Sequence, residues 1–162
     1  MATTLDLYIE TTLSPQAVLQ LVLESLQQSV RFDEPGPDHP DSTTPENLHN
    51  LIFTGPRFFV LMRTLSEEWA AEVLHASGLP ATWCVSFSRV NFGQRAVAME
   101  EIARTCRVIL SRPEVHGILG FDTGRTILVK GHDVNVRSLP HMPEEFLPYF
   151  EDYTPSSDIK GF

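Results

Sequence analysis

Alternation of apolar and polar side chains opens the chain. In LDLYIET, Leu5, Leu7 and Ile9 point one way and Asp6, Tyr8 and Glu10 the other, the period of a half-buried strand. The next stretch, LSPQAVLQLVLESLQQSV, changes to helical spacing. Ser14 is placed as N-cap and Pro15 at the first helical position, and Val18, Val22, Leu26 and Ser29 share one face with Leu19 and Leu23 alongside. Residues 33–47 then carry four prolines, five acidic residues and no large apolar side chain, so they predict an exposed acidic, proline-rich loop.

LHNLIFTG and RFFVLMRTL, interrupted by Gly55-Pro56, predict two strands joined by a tight turn. SEEWAAEVLHASGLP predicts a short helix. Ser66 caps it, Glu67 and Glu68 suit its positive end, and Gly78 and Pro80 stop it. ATWCVSFSRV alternates again, with Trp83, Val85 and Phe87 on one face. In GQRAVAMEEIARTCRVILSRP, Met99, Ile102, Ala103, Cys106, Ile109 and Leu110 follow the spacing of a second long amphipathic helix. VHGILGF and RTILVKG predict a closing hairpin that VNVRSLP extends.

The element order is strand, helix, two strands, a short helix, then strand, helix, two strands. It predicts an α+β protein: one antiparallel sheet of about six strands with the two long helices on one face, in two βαββ units. Each long helix has a single apolar stripe, which suits two layers. The 162 residues suit one domain, residues 1–162, with residues 151–162 as a C-terminal tail.

Composition narrows function more than fold. There are 21 acidic and 12 basic residues, a formal net charge of −9. That field repels phosphate backbones and anionic lipid and favours a basic partner, so neither nucleic acid nor membrane is expected. The N-terminus has no basic and apolar signal-peptide pattern, and no apolar run approaches the roughly 20 residues of a membrane span. Cys84 and Cys106 have no metal-ligand spacing, and both lie in predicted core elements as free thiols. A reducing cytoplasm is the expected location.

The chemical motifs are few. GFDTGRT contains Asp122-Thr123-Gly124, the tripeptide that carries the carboxylate of aspartic proteases. Such enzymes need two carboxylates sharing one proton, and this chain has one copy followed by Arg125, whose charge would keep the carboxylate ionised. The tripeptide is read as a three-residue hairpin turn with Gly124 at its left-handed position. The nearby glycines and Lys130 lack the strand–loop–helix order of a phosphate loop.

Six histidines, at 39, 49, 75, 116, 132 and 141, show no zinc-binding spacing. His116 with His132-Asp133 could meet across the last hairpin, but no metal ligand and no cofactor is assigned. Glu100-Glu101 point about 100° apart and are read as a solvated face. Ser86 and Ser88 lack a nucleophile elbow, so no catalytic residue is assigned. Trp69, Trp83, Phe58 and Phe59 are read as packing. Glu144, Glu145, Glu151 and Asp152, interleaved with Phe146, Tyr149, Phe150 and Tyr153, form an acidic aromatic surface; Glu144, Glu145, Tyr149, Glu151 and Asp152 are its candidate partner-binding residues.

Four stretches carry a family resemblance: LDLYIETTLSPQAVLQLVLESL, WCVSFSRVNF, ILSRPEVHGILGF and GRTILVKGHDVNV. In their order of strand, capped helix, V-S-F strand, helix and closing hairpin, the chain resembles the Sit-type immunity proteins of myxobacteria and relatives. The chain has Arg89-Val90-Asn91 where that family usually has a basic residue and Asp, and its ending is more acidic. The resemblance implies a cytoplasmic, non-enzymatic protein that binds and neutralises one cognate polymorphic toxin, expected to be basic. The alternative is a small-molecule-binding or enzymatic α+β domain with a pocket between sheet and helices, near Trp69 or His116.

Overall fold

The structure is a computed structural model that describes residues 4–29, 36–37, 50–89, 94–122 and 124–159. Among them the strands are β1 (Thr4–Thr11), β2 (Gly36–Pro37), β3 (Asn50–Thr54), β4 (Phe58–Thr64), β5 (Trp83–Arg89), β6 (Val115–Phe121), β7 (Thr126–Lys130), β8 (Asn135–Ser138) and β9 (Thr154–Ser156). The helices are α1 (Pro15–Ser29), α2 (Glu67–Ser77) and α3 (Arg95–Leu110), followed by a 3-10 segment (Glu144–Tyr149). The protein is α+β with a single sheet, in the order β2-β3-β4-β5-β1-β6-β7-β8-β9.

The sheet is mixed, not purely antiparallel, because β8 and β9 pair in parallel. The six expected strands are β1 and β3 to β7. Three short ones lie beyond them. Gly36–Pro37 falls in the stretch read as a loop yet pairs with Leu51 and Ile52, while the rest of residues 33–47 lies outside the described residues. VNVRSLP does not prolong the last strand; Asn135–Ser138 turns back and pairs with β7. The stretch read as a tail from residue 151 holds buried Tyr153 and strand β9, so it belongs to the sheet as far as Ser156.

The two expected βαββ units differ from the observed order, since three strands follow each long helix, and the two sets attach differently: β4 borders β5, whereas β6 borders β1. The consecutive unit β5-α3-β6 encloses the antiparallel β1, the split β-α-β arrangement; β1 and β4 likewise flank β5, but β2 and β3 intervene between α1 and β4.

Odd positions of β1 face the helical layer. Leu5, Leu7 and Ile9 stand beside Phe87, Val85 and Trp83 of β5. These residues bury against Val18, Val22 and Leu26 of α1 and Met99, Ile102, Cys106 and Ile109 of α3. Capping follows the local chemistry. Ser14 Oγ accepts from Ala17 N at 3.2 Å, Ser66 Oγ from Trp69 N at 3.2 Å, and Gly78 ends α2 at φ +77°. At Gly117 a Cβ would stand 2.9 Å from Leu110 Cδ2 and 3.0 Å from the Tyr8 carbonyl oxygen, so a side chain there would displace Leu110 at the end of α3 and press on the β1 backbone.

The other sheet face is covered in part by α2, which the two-layer expectation did not include. Val73 of α2, with Leu79 and Ala81 after it, packs on Tyr8, Cys84 and Ile118 as a small second core. Both cysteines are free and buried.

Candidate functional site

The C-terminal acidic surface sits on the helical layer. Phe146 and Phe150 are fully buried in the main core, with ring centroids 6.2 Å apart, and Tyr153 meets Phe150 edge-on at 5.2 Å. These anchors dock the 3-10 segment on α3. Two of the five candidate residues are engaged within the fold. Asp152 receives a bidentate bond from Arg107 at 3.0 Å on each oxygen. The Tyr149 hydroxyl donates to Glu100 at 3.0 Å and accepts from Arg104 at 3.2 Å. Glu144 and Glu151 are exposed and Glu145 half-buried, and among the described residues none of the three makes an ion pair.

The reading of Glu100-Glu101 as a solvated face holds for Glu100 only. Glu101 is 8% exposed and receives Arg57 Nε at 2.8 and 2.9 Å on its two oxygens, with Nη2 on the same carboxylate. Arg57, from the β3–β4 turn, thus reaches across to α3. Nothing in the helical period distinguishes the two glutamates.

A second feature lies on the α2 side of the sheet. A recess of about 340 Å³ is lined by Asp6, Tyr8, Arg63, Trp69, Gly120, Phe121, Asp122 and Gly124, and an adjoining hollow shares Arg63 and Trp69. Trp69 is 42% exposed, whereas Trp83 and Phe58 are core residues, so only some of these aromatics are packing. Asp6 accepts from Ser86 Oγ at 2.6 Å. Burial pushes its carboxyl above the ordinary value, and the nearby Asp122 adds to this against the Ser86 bond and Arg63. Tyr8 is pushed up to about 12 by burial, then by Cys84 and Asp6. Cys84 is pushed up to about 11, again chiefly by burial, which keeps the thiol protonated. Gly124, at φ +86°, closes the β6–β7 turn as the sequence implied; Thr123 lies outside the described residues.

The third feature joins His116 of β6 to His132 in the β7–β8 turn. Their rings stack with centroids 3.9 Å apart. The acidic companion is Glu10, not the Asp133 suggested by adjacency: His132 Nε2 lies 3.1 and 3.3 Å from the Glu10 oxygens. His116 has its pKa lowered by burial and then by His132. His39 and His49 lie outside the described residues.

No family model, no curated protein and no solved structure matches the chain. None of the described helices is long and apolar enough to cross a membrane.

Proposed function

We propose that the chain is a non-enzymatic immunity protein that binds a basic cognate toxin through its C-terminal acidic surface and neutralises it. The observation that carries this reading is the docked 3-10 segment with the turn after it, where exposed Glu144 and Glu151 without an ion pair among the described residues sit on a scaffold fixed by buried Phe146 and Phe150. A pre-ordered surface loses little conformational freedom on binding, and its charge speeds encounter with a basic partner. The net charge of −9 agrees in sign. Cytoplasmic residence follows from this role.

The test is co-expression with a toxin domain encoded beside this gene. Rescue of growth together with a one-to-one complex supports the reading. Reversal of Glu144, Glu145 and Glu151 to Lys should weaken that complex about tenfold or more and flatten its salt dependence. Asp152 is left intact because it holds Arg107. A toxin that stays fully active beside a folded chain overturns the proposal.

A second reading rests on the recess at Asp6, Tyr8, Arg63, Asp122 and Trp69, where charged groups of both signs meet an exposed indole, as a small polar aromatic ligand would require. Saturable quenching of Trp69 fluorescence, absent in Trp69→Phe, would support it. Trp83 is buried and serves as the internal reference.

A further inference from the structure

We propose that Glu10, His116 and His132 form a binding site for one divalent transition-metal ion of the zinc class. The inference is independent of the toxin-binding reading, because the three residues lie on the opposite face of the sheet from the 3-10 segment. Glu10 and His116 are direct partners in the β1–β6 ladder, so the sheet itself holds carboxylate and imidazole side by side on one face. His132 comes from the turn after β7, which is closed by the bond from Gly131 N to Val134 O at 3.0 Å. One ligand atom from each residue lies within 4.8 Å of the other two.

A tetrahedral ion bound at about 2.0–2.2 Å asks for ligand atoms about 3.4 Å apart. The Glu10–His132 separation of 3.1 Å already meets this. The other separations lie within 4.8 Å, and closing them falls to His132, which is 63% exposed on a turn and would turn out of its stack on His116 to bring a nitrogen of each ring to one ion. Two imidazoles and a carboxylate suit zinc, cobalt and nickel, and are poor ligands for calcium or magnesium, which favour all-oxygen shells.

The surroundings leave room for an ion and a further ligand. A recess of about 270 Å³ is bounded by Thr11, Thr12, Pro113 and Glu114 besides the three ligands, so the fourth position faces open space. The neighbouring charges are engaged elsewhere: Lys130 Nζ donates to the Arg112 carbonyl at 2.6 Å, and Glu114 pairs with Arg112 at 3.4 Å. The simpler account of the same contacts is a hydrogen-bonded His–Glu pair with a stacked second ring. It predicts no ion affinity, and that difference is what the experiment reads.

Untagged full-length protein is titrated with Zn²⁺ by calorimetry, and with Co²⁺ by visible absorption. The expected result is one saturable site, the d–d bands of a tetrahedral cobalt centre, and a Tm about 5 °C or more higher at Zn²⁺ far above Kd. Loss of outer partners alone lowers metal affinity about 10–100-fold, so His132→Ala, Glu10→Gln and His116→Ala should each cost at least that. His75→Ala and His141→Ala should leave it unchanged. His132→Ala removes an exposed turn side chain, and its unliganded Tm should match that of the parent, which separates lost ligation from lost folding. Absence of a saturable site in the parent protein, or equal affinity in the His116→Ala/His132→Ala double variant, overturns the proposal.

Discussion

Phe150→Ala tests whether the C-terminal segment is part of the cooperative fold. The ring is fully buried, meets Tyr153 edge-on at 5.2 Å and stacks near Phe146. A buried phenylalanine removes about 150–250 Å² from water, worth about 4–6 kcal/mol at 25 cal/mol per Å². Alanine keeps the Cβ share, and a compact unfolded chain trims the sum by about 10–40%. The lost ring contacts with Tyr153 and Phe146 add about 0.5–1.5 kcal/mol. The expected cost is therefore about 3–5 kcal/mol, in line with aromatic-to-alanine cavities elsewhere. At about 2–4 °C per kcal/mol for a chain of this size, Tm falls by about 6–20 °C. Urea unfolding followed by far-ultraviolet circular dichroism reads the value, with Phe150→Leu as control at no more than about 1.5 kcal/mol. A cost for Phe150→Ala below about 1.5 kcal/mol would refute the docking argument, since the segment would then be only loosely attached.

Other perturbations probe separate parts of the design. Arg57→Ala should lower Tm by several degrees, more than Arg104→Ala, because it strands the buried Glu101 carboxylate; Arg57→Lys should restore little, since one ammonium cannot reproduce the two-pronged contact. Equal melting of the two alanine variants would count against this. Gly117→Ala should cost about 1–3 kcal/mol in urea unfolding, because the added methyl meets Leu110 and the Tyr8 carbonyl oxygen; a neutral result would mean that α3 can withdraw freely. For Asp6, the folded carboxyl has a raised pKa, so its contribution is most favourable below the unfolded value of 3.8 and is lost as pH rises through the folded pKa. Asp6→Asn, whose carbonyl can still accept from Ser86, should therefore melt higher than the parent at neutral pH and show no gain in acid. A pH-independent difference would contradict the assignment.

Much of the local structure was legible because the determinants lie within a turn of each other. Ser14 and Ser66 cap their helices, Gly78 ends α2 at positive φ, and every residue of the stripe from Met99 to Leu110 is buried. What escaped the sequence was set by distant pairing. β2, β8 and β9 are two to four residues long, too short for a period, and exist only because a neighbouring edge offers hydrogen bonds. Glu101 is inward because Arg57, far away in sequence, meets it. The candidate sites divide the same way. The meeting of His116 and His132 could be foreseen from their places near one hairpin, but Glu10 joins them through the β1–β6 ladder, which no local pattern announces. On the acidic surface, composition revealed the charge but not that Arg107 already neutralises Asp152.

The central strand explains why stability and chemistry are separable here. β1 has neighbours on both sides, and its two faces do different work. Leu5, Leu7 and Ile9 hold the main core, so changes there should unfold the protein. Asp6, Tyr8 and Glu10 face the other way, and each anchors a different feature: the recess with Arg63 and Trp69, the small core under α2, and the histidine pair. The acidic C-terminal surface packs on the helical layer instead, with the sheet between it and these features. A macromolecular partner at Glu144 and Glu151 and an ion at Glu10, His116 and His132 therefore occupy opposite sides of the molecule. Direct contact cannot couple them, and any coupling would have to pass through strands whose register is fixed by burial. Charge reversal at Glu144 and Glu151 should consequently leave zinc affinity unchanged, and His132→Ala should leave partner affinity unchanged. Cross-sensitivity between the two would show that a single site spans the sheet, contrary to the division argued from β1.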